Sequence, residues 1–314
     1  MIRELKTLDG QEATADTTRT GIPMEAMHCP VCDGAMATVR CAWLLRCRTC
    51  GFRRSTLAMA IGDDRTAGAI DEDLRAAGLE RLRRSNFERL LDRLCRQIEP
   101  HGANLLDIGC AHGWFLEAAA RRGFRVAGLE PDTRVAIRAT AAGHTVWRGF
   151  FPYHLPADRR FDVLVFNDVF EHLPDVVEAT QACHARLAPD GLLVLNLPSS
   201  RGVFYRLAET LDRVGVSSPL ERLWQKGFPS PHLSYFEPDQ LRRLMERHGL
   251  VEIDRSTLPS IMIDGLWERL RYDRSSAATA AAAVWLGVMA AAPVLRHLPG
   301  DISLQIFRRK DRLP

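Results

Sequence analysis

From position 104 onward the apolar residues fall into short runs separated by stretches of helical spacing. Residues 104–109 read as a buried strand and 113–122 as a helix. Residues 125–130 are a strand, 132–142 a helix, 144–148 a short strand and 161–167 (FDVLVFN) a longer one. In 174–188, Val176, Thr180, Cys183 and Leu187 share one helical face, and 191–197 (GLLVLNL) is again a strand. This alternation predicts an α/β domain: a parallel sheet with helices on both faces. A helix over 238–248, a strand near 250–257 and a last strand over 302–308 complete the pattern. Between them, 198–236 reads as an insertion with periodicity only over 205–214.

Upstream, 67–100 turns helical: Phe87, Leu90, Leu91, Leu94 and Ile98 recur at helical spacing, and Pro100 stops the run. Its other face carries Arg81, Arg83, Arg84, Arg89, Arg93 and Arg96, offset by Glu80, Glu88 and Asp92, and reads as solvated. Residues 1–27 lack apolar periodicity and read as a flexible tail. The expected organisation is therefore a tail (1–27), a cysteine-rich unit (28–56), a helical linker or cap (57–100) and an α/β domain (101–314).

Residues 277–295 contain no charge over nineteen positions, nine of them alanine, with Pro293 near the end. The length approaches a membrane span. A strand at 302–308 that rejoins the main sheet argues against spanning, so 277–297 is read as a helix that packs on the domain or lies in the membrane surface. Trp267, Trp285 and the basic tail (Arg308, Arg309, Lys310, Arg312) would suit such an anchor.

Composition narrows the class. Of 314 residues, 46% are apolar and 26% charged, which excludes collagen-like, wholly disordered and multi-span membrane chains. The net charge of +3 gives little global attraction for nucleic acid. No apolar run opens the chain, so the expected compartment is the cytoplasm, peripheral to the inner face of the membrane if 277–297 docks there.

Four of the eight cysteines form two C-x2-C pairs, Cys29/Cys32 and Cys47/Cys50, fourteen residues apart. Four thiolates from two tight turns can enclose one tetrahedral zinc ion with no open position, so a structural zinc ribbon is expected rather than a catalytic metal. Cys41 lies outside both pairs.

The run Asp107-Ile-Gly109-Cys-Ala111-His-Gly113 follows a strand and opens a helix, where a glycine turn lets backbone N–H groups approach a ligand. Glu130 ends the next strand, seventeen residues after Gly113, placed to accept from both hydroxyls of a ribose. That pairing suits a dinucleotide or S-adenosylmethionine (SAM).

The motifs around it are more specific. LLDIGCAHGWFLEAAARRGFRVAGLEPD resembles the first two cofactor motifs of class I SAM-dependent methyltransferases, FDVLVFNDVFEHLPD their fourth-strand motif and LAPDGLLVLNLPS their fifth. PHLSYFEPDQLRRLMERHGL is similar to a segment of a bacterial branch that carries an N-terminal zinc ribbon and often methylates small or glycan-type acceptors. The resemblance covers about 28–256. It implies a Rossmann-like seven-strand sheet in the order 3-2-1-4-5-7-6, with 302–308 as the antiparallel seventh strand. It implies that Asp107 orients the turn, that Gly109 and Gly113 form the loop under the cofactor, that Glu130 holds the ribose, and that Asn167 and Asp168 line the pocket. Ala111 departs from the glycine usual there.

Methyl transfer from a sulfonium is an in-line displacement, in which the protein mainly positions the reactants and excludes water. An oxygen acceptor also calls for a base. His172 and His232 are the candidates, ahead of His112 and His154; for each, a structural histidine bonded to backbone is the competing reading. Asp168, Glu171 and His172 form a D-x-x-E-H cluster similar to divalent-ion sites of some quinone-type O-methyltransferases. The Asn/Asp-Pro-Pro-aromatic tetrapeptide of DNA and protein-amide methyltransferases is absent after the fourth strand. The expected activity is SAM-dependent methylation of a small-molecule, sugar or lipid-linked acceptor, O-methylation favoured. The alternatives are an RNA methyltransferase gripping phosphates with the ribbon and the 81–96 arginines, and a non-catalytic SAM-binding scaffold.

Overall fold

The sheet is built from runs whose successive residues face opposite layers. Leu105, Val163, Val165, Leu192 and Val194 point into one apolar cluster, while Leu106, Leu164, Phe166, Leu193 and Leu195 point into another. Period-two alternation with both faces apolar is what a sheet covered on both sides requires. The structure is a computed structural model that describes residues 28–60, 72–260, 266–271, 278–295 and 300–310. The expected tail, 1–27, and residues 61–71 of the expected linker lie outside the described residues.

Three short strands form the N-terminal ribbon: β1 (Met36–Thr38), β2 (Leu44–Cys47) and β3 (Arg53–Ser55). Helix α1 (Glu72–Leu94) follows, then the alternating units β4 (Asn104–Ile108), α2 (Trp114–Arg121), β5 (Arg125–Glu130), α3 (Thr133–Ala141), β6 (Thr145–Arg148) and β7 (Phe161–Asn167). A single 3-10 turn (Phe170–His172) leads to α4 (Val176–Arg186) and β8 (Leu187–Pro198). The chain continues through α5 (Val203–Arg213), α6 (Ser218–Leu223), β9 (Ser234–Tyr235), α7 (Pro238–Glu246), β10 (Leu250–Leu258), α8 (Leu266–Arg271), α9 (Ala278–Leu295) and β11 (Ile302–Arg309).

The main sheet has seven strands in the order β6-β5-β4-β7-β8-β11-β10. Strands β6, β5, β4, β7 and β8 run parallel; β11 is antiparallel to both its neighbours. This is the expected 3-2-1-4-5-7-6 order. Helices α1 and α2 cover one face, with Phe87, Leu90, Leu91, Leu94 and Phe115 buried against the sheet. Helices α4 and α7 and the ribbon share the other cluster, where Val31, Leu45 and Phe52 join Cys183, Leu244 and Phe307.

The insertion is more ordered than its sequence suggests. Helices α5 and α6 pack Tyr205, Leu220 and Trp224 against Leu44 of the ribbon, and β9 becomes the ribbon's fourth strand by pairing with β3. Three arginines of α1 meet carboxylates: Arg83 meets Asp168, Arg84 meets Glu80 and Glu117, and Arg93 grips Asp254 with two hydrogen bonds at 2.6 and 2.7 Å.

Helix α9 covers the predicted apolar segment, and among the described residues no helix is long and apolar enough to cross a membrane. The topology also excludes a single crossing. Residues 259–301 leave the sheet after Leu258 and return at Ile302, and those two residues are paired across β10 and β11. Arg308 and Arg309 end β11 and Lys310 follows it, while Arg312 lies outside the described residues.

Candidate active site

The turn after β4 is built for close approach. Gly109 has φ +74°, and a Cβ there would meet Val169 Cγ2 at 2.4 Å; Gly113, also left-handed at φ +81°, starts α2. Between them Ala111 adopts φ 46°, a left-handed conformation that costs a non-glycine residue about 1–2 kcal/mol. Its N–H donates to Glu130 Oε2 at 2.9 Å, and the Asp132 N–H donates to Glu130 Oε1 at 2.9 Å. The Glu130 carboxylate is thus oriented by backbone and retains lone pairs for a ligand.

Asp107 is fully buried beneath this turn. Burial pushes its carboxyl up to about 8, against the pull of Asn167. Asn167 Nδ2 donates to Asp107 Oδ1 at 3.2 Å, and Asn196 Nδ2 donates to Asn167 Oδ1 at 3.2 Å, a polar relay from β8 through β7 to β4. Burial likewise raises Glu130. Two buried carboxylates at one strand edge, each held above its ordinary range, make a site that gains by receiving a cation.

These residues border a cavity of about 520 Å³. Its lining contains Gly109, Ala111, Glu130, Asp132, Asn167 and Asp168; Asp107 lies just beneath, beside a small adjoining recess with Gly109, Ala111 and Asn167. Gly113 lies outside both linings and shapes the turn instead. Much of the remaining lining is apolar, with Met59, Leu79, Phe150 and Leu173 alongside Tyr153, His172 and Ser230. His112 and His154 also border the cavity.

The structure separates the two candidate base residues. His172 faces the cavity, whereas His232 lies behind it, 6% exposed, with its ring 4.7 Å from that of His172. Burial, reinforced by His172, holds His232 well below the usual histidine range, so it is neutral. His232, expected beside His172 as an acid–base or substrate-orienting candidate, is thus a buried neighbour of His172 outside the cavity lining. Insertion residue Gln225 reaches its Nε2 at 2.9 Å.

Glu171 is buried completely, and neither carboxyl oxygen has a hydrogen-bond partner. Burial, then the nearby Asp168, drives it well above the carboxylate range. Its Oε1 lies 3.9 Å from Nε2 of both His172 and His232. The D-x-x-E-H expectation changes accordingly. Asp168, left-handed at φ 54°, turns its carboxylate to Arg83 at 3.4 Å, and the group whose ligand atoms converge within 4.8 Å is Glu171, His172 and His232.

Arg83 was missed as a site residue. In sequence it is one arginine among six on a helix face, yet it borders both the cavity and the recess at Asp107. Asn196 was missed as well, its role visible only once β8 is set beside β7.

Away from the cavity, the four ribbon cysteines come together, all ligand atoms within 4.8 Å. Cys29 and Cys50 Sγ lie 3.5 Å apart, as do Cys32 and Cys47 Sγ. A tetrahedron with Zn–S bonds of about 2.3 Å has edges of roughly 3.8 Å, so the cluster fits one zinc ion. The Cys50 N–H donates to Cys47 Sγ at 3.4 Å; against the effect of burial, such backbone bonds bring the Cys47 thiol down to about 7. Cys41 stands apart, near Asp212.

Comparison with known proteins accords with this geometry. A family profile described as "Methyltransferase domain" matches residues 78–254. The ubiquinone biosynthesis O-methyltransferase of Methylobacterium sp. (strain 4-46) is 30% identical over 184 residues, covering 54% of this chain and 68% of its own. That of Cereibacter sphaeroides (strain ATCC 17029) is 27% identical over 180 residues, covering 55% and 70%. Among solved structures, a chain from the Haloferax volcanii complex with the Trm112 methyltransferase activator aligns with a TM-score of 0.55 at 17% identity, over 79% of this chain and 99% of that one. The cyclopropane synthase MmaA2 of Mycobacterium tuberculosis aligns at 0.50 and 17%, over 72% and 83%. These two structures are similar in fold.

Proposed function

Because this chain belongs to the methyltransferase-domain family, its profile match spanning more than half the sequence, we propose that it moves a methyl group from SAM to a hydroxyl of a small-molecule, sugar or lipid-linked acceptor. The observation that carries this reading is the single cavity that joins the Glu130 wall to His172 and an apolar rim. The ubiquinone-pathway relatives support an oxygen acceptor with apolar character.

SAM supplies an activated methyl on a sulfonium. The chain's own residues do the rest. Glu130, pre-oriented by the Ala111 and Asp132 N–H groups, would hold the ribose. Asp107, with Asn167 steering it, would face the cationic side, and the glycine turn brings backbone close beneath it. Arg83 closes the cavity from α1. The apolar rim binds the acceptor and excludes water. His172 would take the acceptor's proton at Nε2. Cys29, Cys32, Cys47 and Cys50 would hold a structural zinc ion.

The RNA alternative has less to rest on, since three of its six arginines, Arg83, Arg84 and Arg93, pair with carboxylates. The scaffold reading weakens too, since Ala111 occupies the turn with its N–H on Glu130. Residues 277–297 are proposed to meet the membrane surface on the cytoplasmic side. Helix α9 carries no charge, and Val284 and Leu286 are exposed.

The test is transfer of labelled methyl from SAM into a fractionated bacterial lysate, with Asp107→Ala as control. Label in the lipid or glycan fraction, lost in the control, supports the proposal. Label in RNA replaces it with the alternative. No label while SAM binding persists favours a scaffold.

A further inference from the structure

The segment 230–233 lies between the ribbon and the 3-10 turn and bonds to both. His172 Nδ1 is 2.9 Å from the Pro231 carbonyl and 3.2 Å from Ser230 Oγ. A carbonyl only accepts, so the bond to Pro231 puts the proton on Nδ1 and leaves the lone pair on Nε2. Two residues on, the Leu233 N–H donates to the Glu171 carbonyl at 2.8 Å.

The other side of this segment is held by one ribbon residue. Ser55, 4% exposed, donates its hydroxyl to the His232 carbonyl at 2.7 Å and its N–H to the Leu233 carbonyl at 2.9 Å. The pairing continues as β3 against β9, Arg54 with Ser234 and Arg53 with Tyr235. Arg54 also reaches past the segment to the Pro174 carbonyl at 2.6 Å, just beyond the 3-10 turn. Strand β3 begins three residues after Cys50, and its partner β2 ends on Cys47. The strand that carries Ser55 is thus anchored at the second cysteine pair.

We propose that Ser55 is a positioning residue for His172, and that the four-cysteine ribbon thereby determines which imidazole nitrogen meets the acceptor. The Pro231 carbonyl that accepts from His172 belongs to the Pro231–His232 peptide, whose N–H donates to the Trp224 carbonyl at 3.1 Å; Ser55 fixes the carbonyl of the following peptide, His232–Leu233. When release of Ser55 lets the two linked peptides turn together, Nδ1 loses its acceptor and the proton is free to move to Nε2. His172 would then present a donor where a base is needed. The ribbon acts here as part of the acceptor side of the site, not as an appended stabiliser. A metal in the cysteine cluster would keep β2 and β3 in register and so hold Ser55 in place.

This inference rests on the reading of His172 as the base, but its test measures tautomer rather than turnover, so the two can fail separately. The full-length, zinc-loaded protein is labelled with 15N-histidine, and long-range 1H–15N spectra are recorded, His172 being assigned by its loss in His172→Asn. The expected result is one tautomer in the wild type, protonated at Nδ1, and a tautomer mixture in Ser55→Ala. Binding of S-adenosylhomocysteine should stay within about twofold, and Ser55→Thr, which retains the hydroxyl, should restore the wild-type pattern. Stripping the wild type with a chelator should reproduce the Ser55→Ala pattern. An unchanged His172 in either Ser55→Ala or the stripped protein overturns the proposal. So does loss of S-adenosylhomocysteine binding in step with the histidine change, which would make Ser55 a general fold residue.

Discussion

Asp107, proposed to face the cationic side of SAM, ties that proposal to pH. Burial pushes its carboxyl from an ordinary 3.8 up to about 8. Between those values the folded state binds more protons than the unfolded one, so this group's contribution to stability falls as pH rises from about 4 to about 8. A cationic ligand prefers the ionised carboxylate, so SAM affinity should rise with pH toward about 8, by up to roughly tenfold per unit. Asp107→Asn should flatten the profile, as titration calorimetry at pH 6, 7 and 8 would record; a parallel slope in the variant refutes the assignment. Ala111 is the complementary case, a side chain held at φ 46°. Ala111→Gly relieves about 1–2 kcal/mol of left-handed strain against about 0.5–1 kcal/mol of added chain entropy. The expected net is a gain of up to about 1.5 kcal/mol in chemical denaturation, with SAM affinity equal or better. A loss of stability would mean that the alanine methyl packs usefully.

At the scale of elements, the ribbon and the insertion complete each other. Strands β1–β3 are only three or four residues long each, and the insertion's β9 completes their sheet. Trp224 of the insertion meets Trp43 of the ribbon at a ring separation of 5.8 Å. So small a unit depends on a staple. Elemental analysis should find one zinc per chain. Cys47→Ser or chelation should cost on the order of several kcal/mol of ribbon stability and expose Trp43 and Trp224 to a collisional fluorescence quencher. Unchanged quenching after metal removal would show that packing alone holds the unit. Helix α1 acts differently: its apolar stripe seals the sheet while Ala76, Leu79 and Arg83 border the cavity, so one element serves both core and site.

At the scale of the whole molecule, exposed apolar side chains occur both on the last helices and at the cavity. Helix α8 packs on α1, whose residues border the cavity, and α9 packs on α8. Trp267, Val284 and Leu286 on these two helices are exposed, as are Phe150 and Tyr153 at the cavity rim. A lipid-linked acceptor held at a bilayer would be approached along such a surface. Each aliphatic side chain gains about 1.5–3 kcal/mol on full burial, so a Val284→Glu/Leu286→Glu double variant should lower co-sedimentation with phosphatidylglycerol/phosphatidylcholine vesicles several-fold. Its affinity for S-adenosylhomocysteine should not move. Wild-type protein that stays in the supernatant contradicts membrane contact, and dissociation of a dimer in the variant would identify a second copy as the occupant.

The strand–helix alternation, the four clustered cysteines, the glycine turn and the acid after the second strand were all legible along the chain. Each is a local signal: a period of two or 3.6, a C-x2-C spacing, a glycine at a strand end. Only the tertiary structure decided that His172 faces the cavity while His232 stands behind it, because the two are sixty residues apart and share no period. Arg83 was hidden among equals until the helix was laid on the sheet, and Asn196 read as one position of an apolar strand until β8 paired with β7. The antiparallel return of β11 settled that residues 259–301 cannot cross a bilayer once, since paired strands keep both ends of that segment on one side. Local geometry is written in nearest neighbours along the chain, whereas burial, charge pairing and the choice of facing histidine depend on neighbours that only folding supplies.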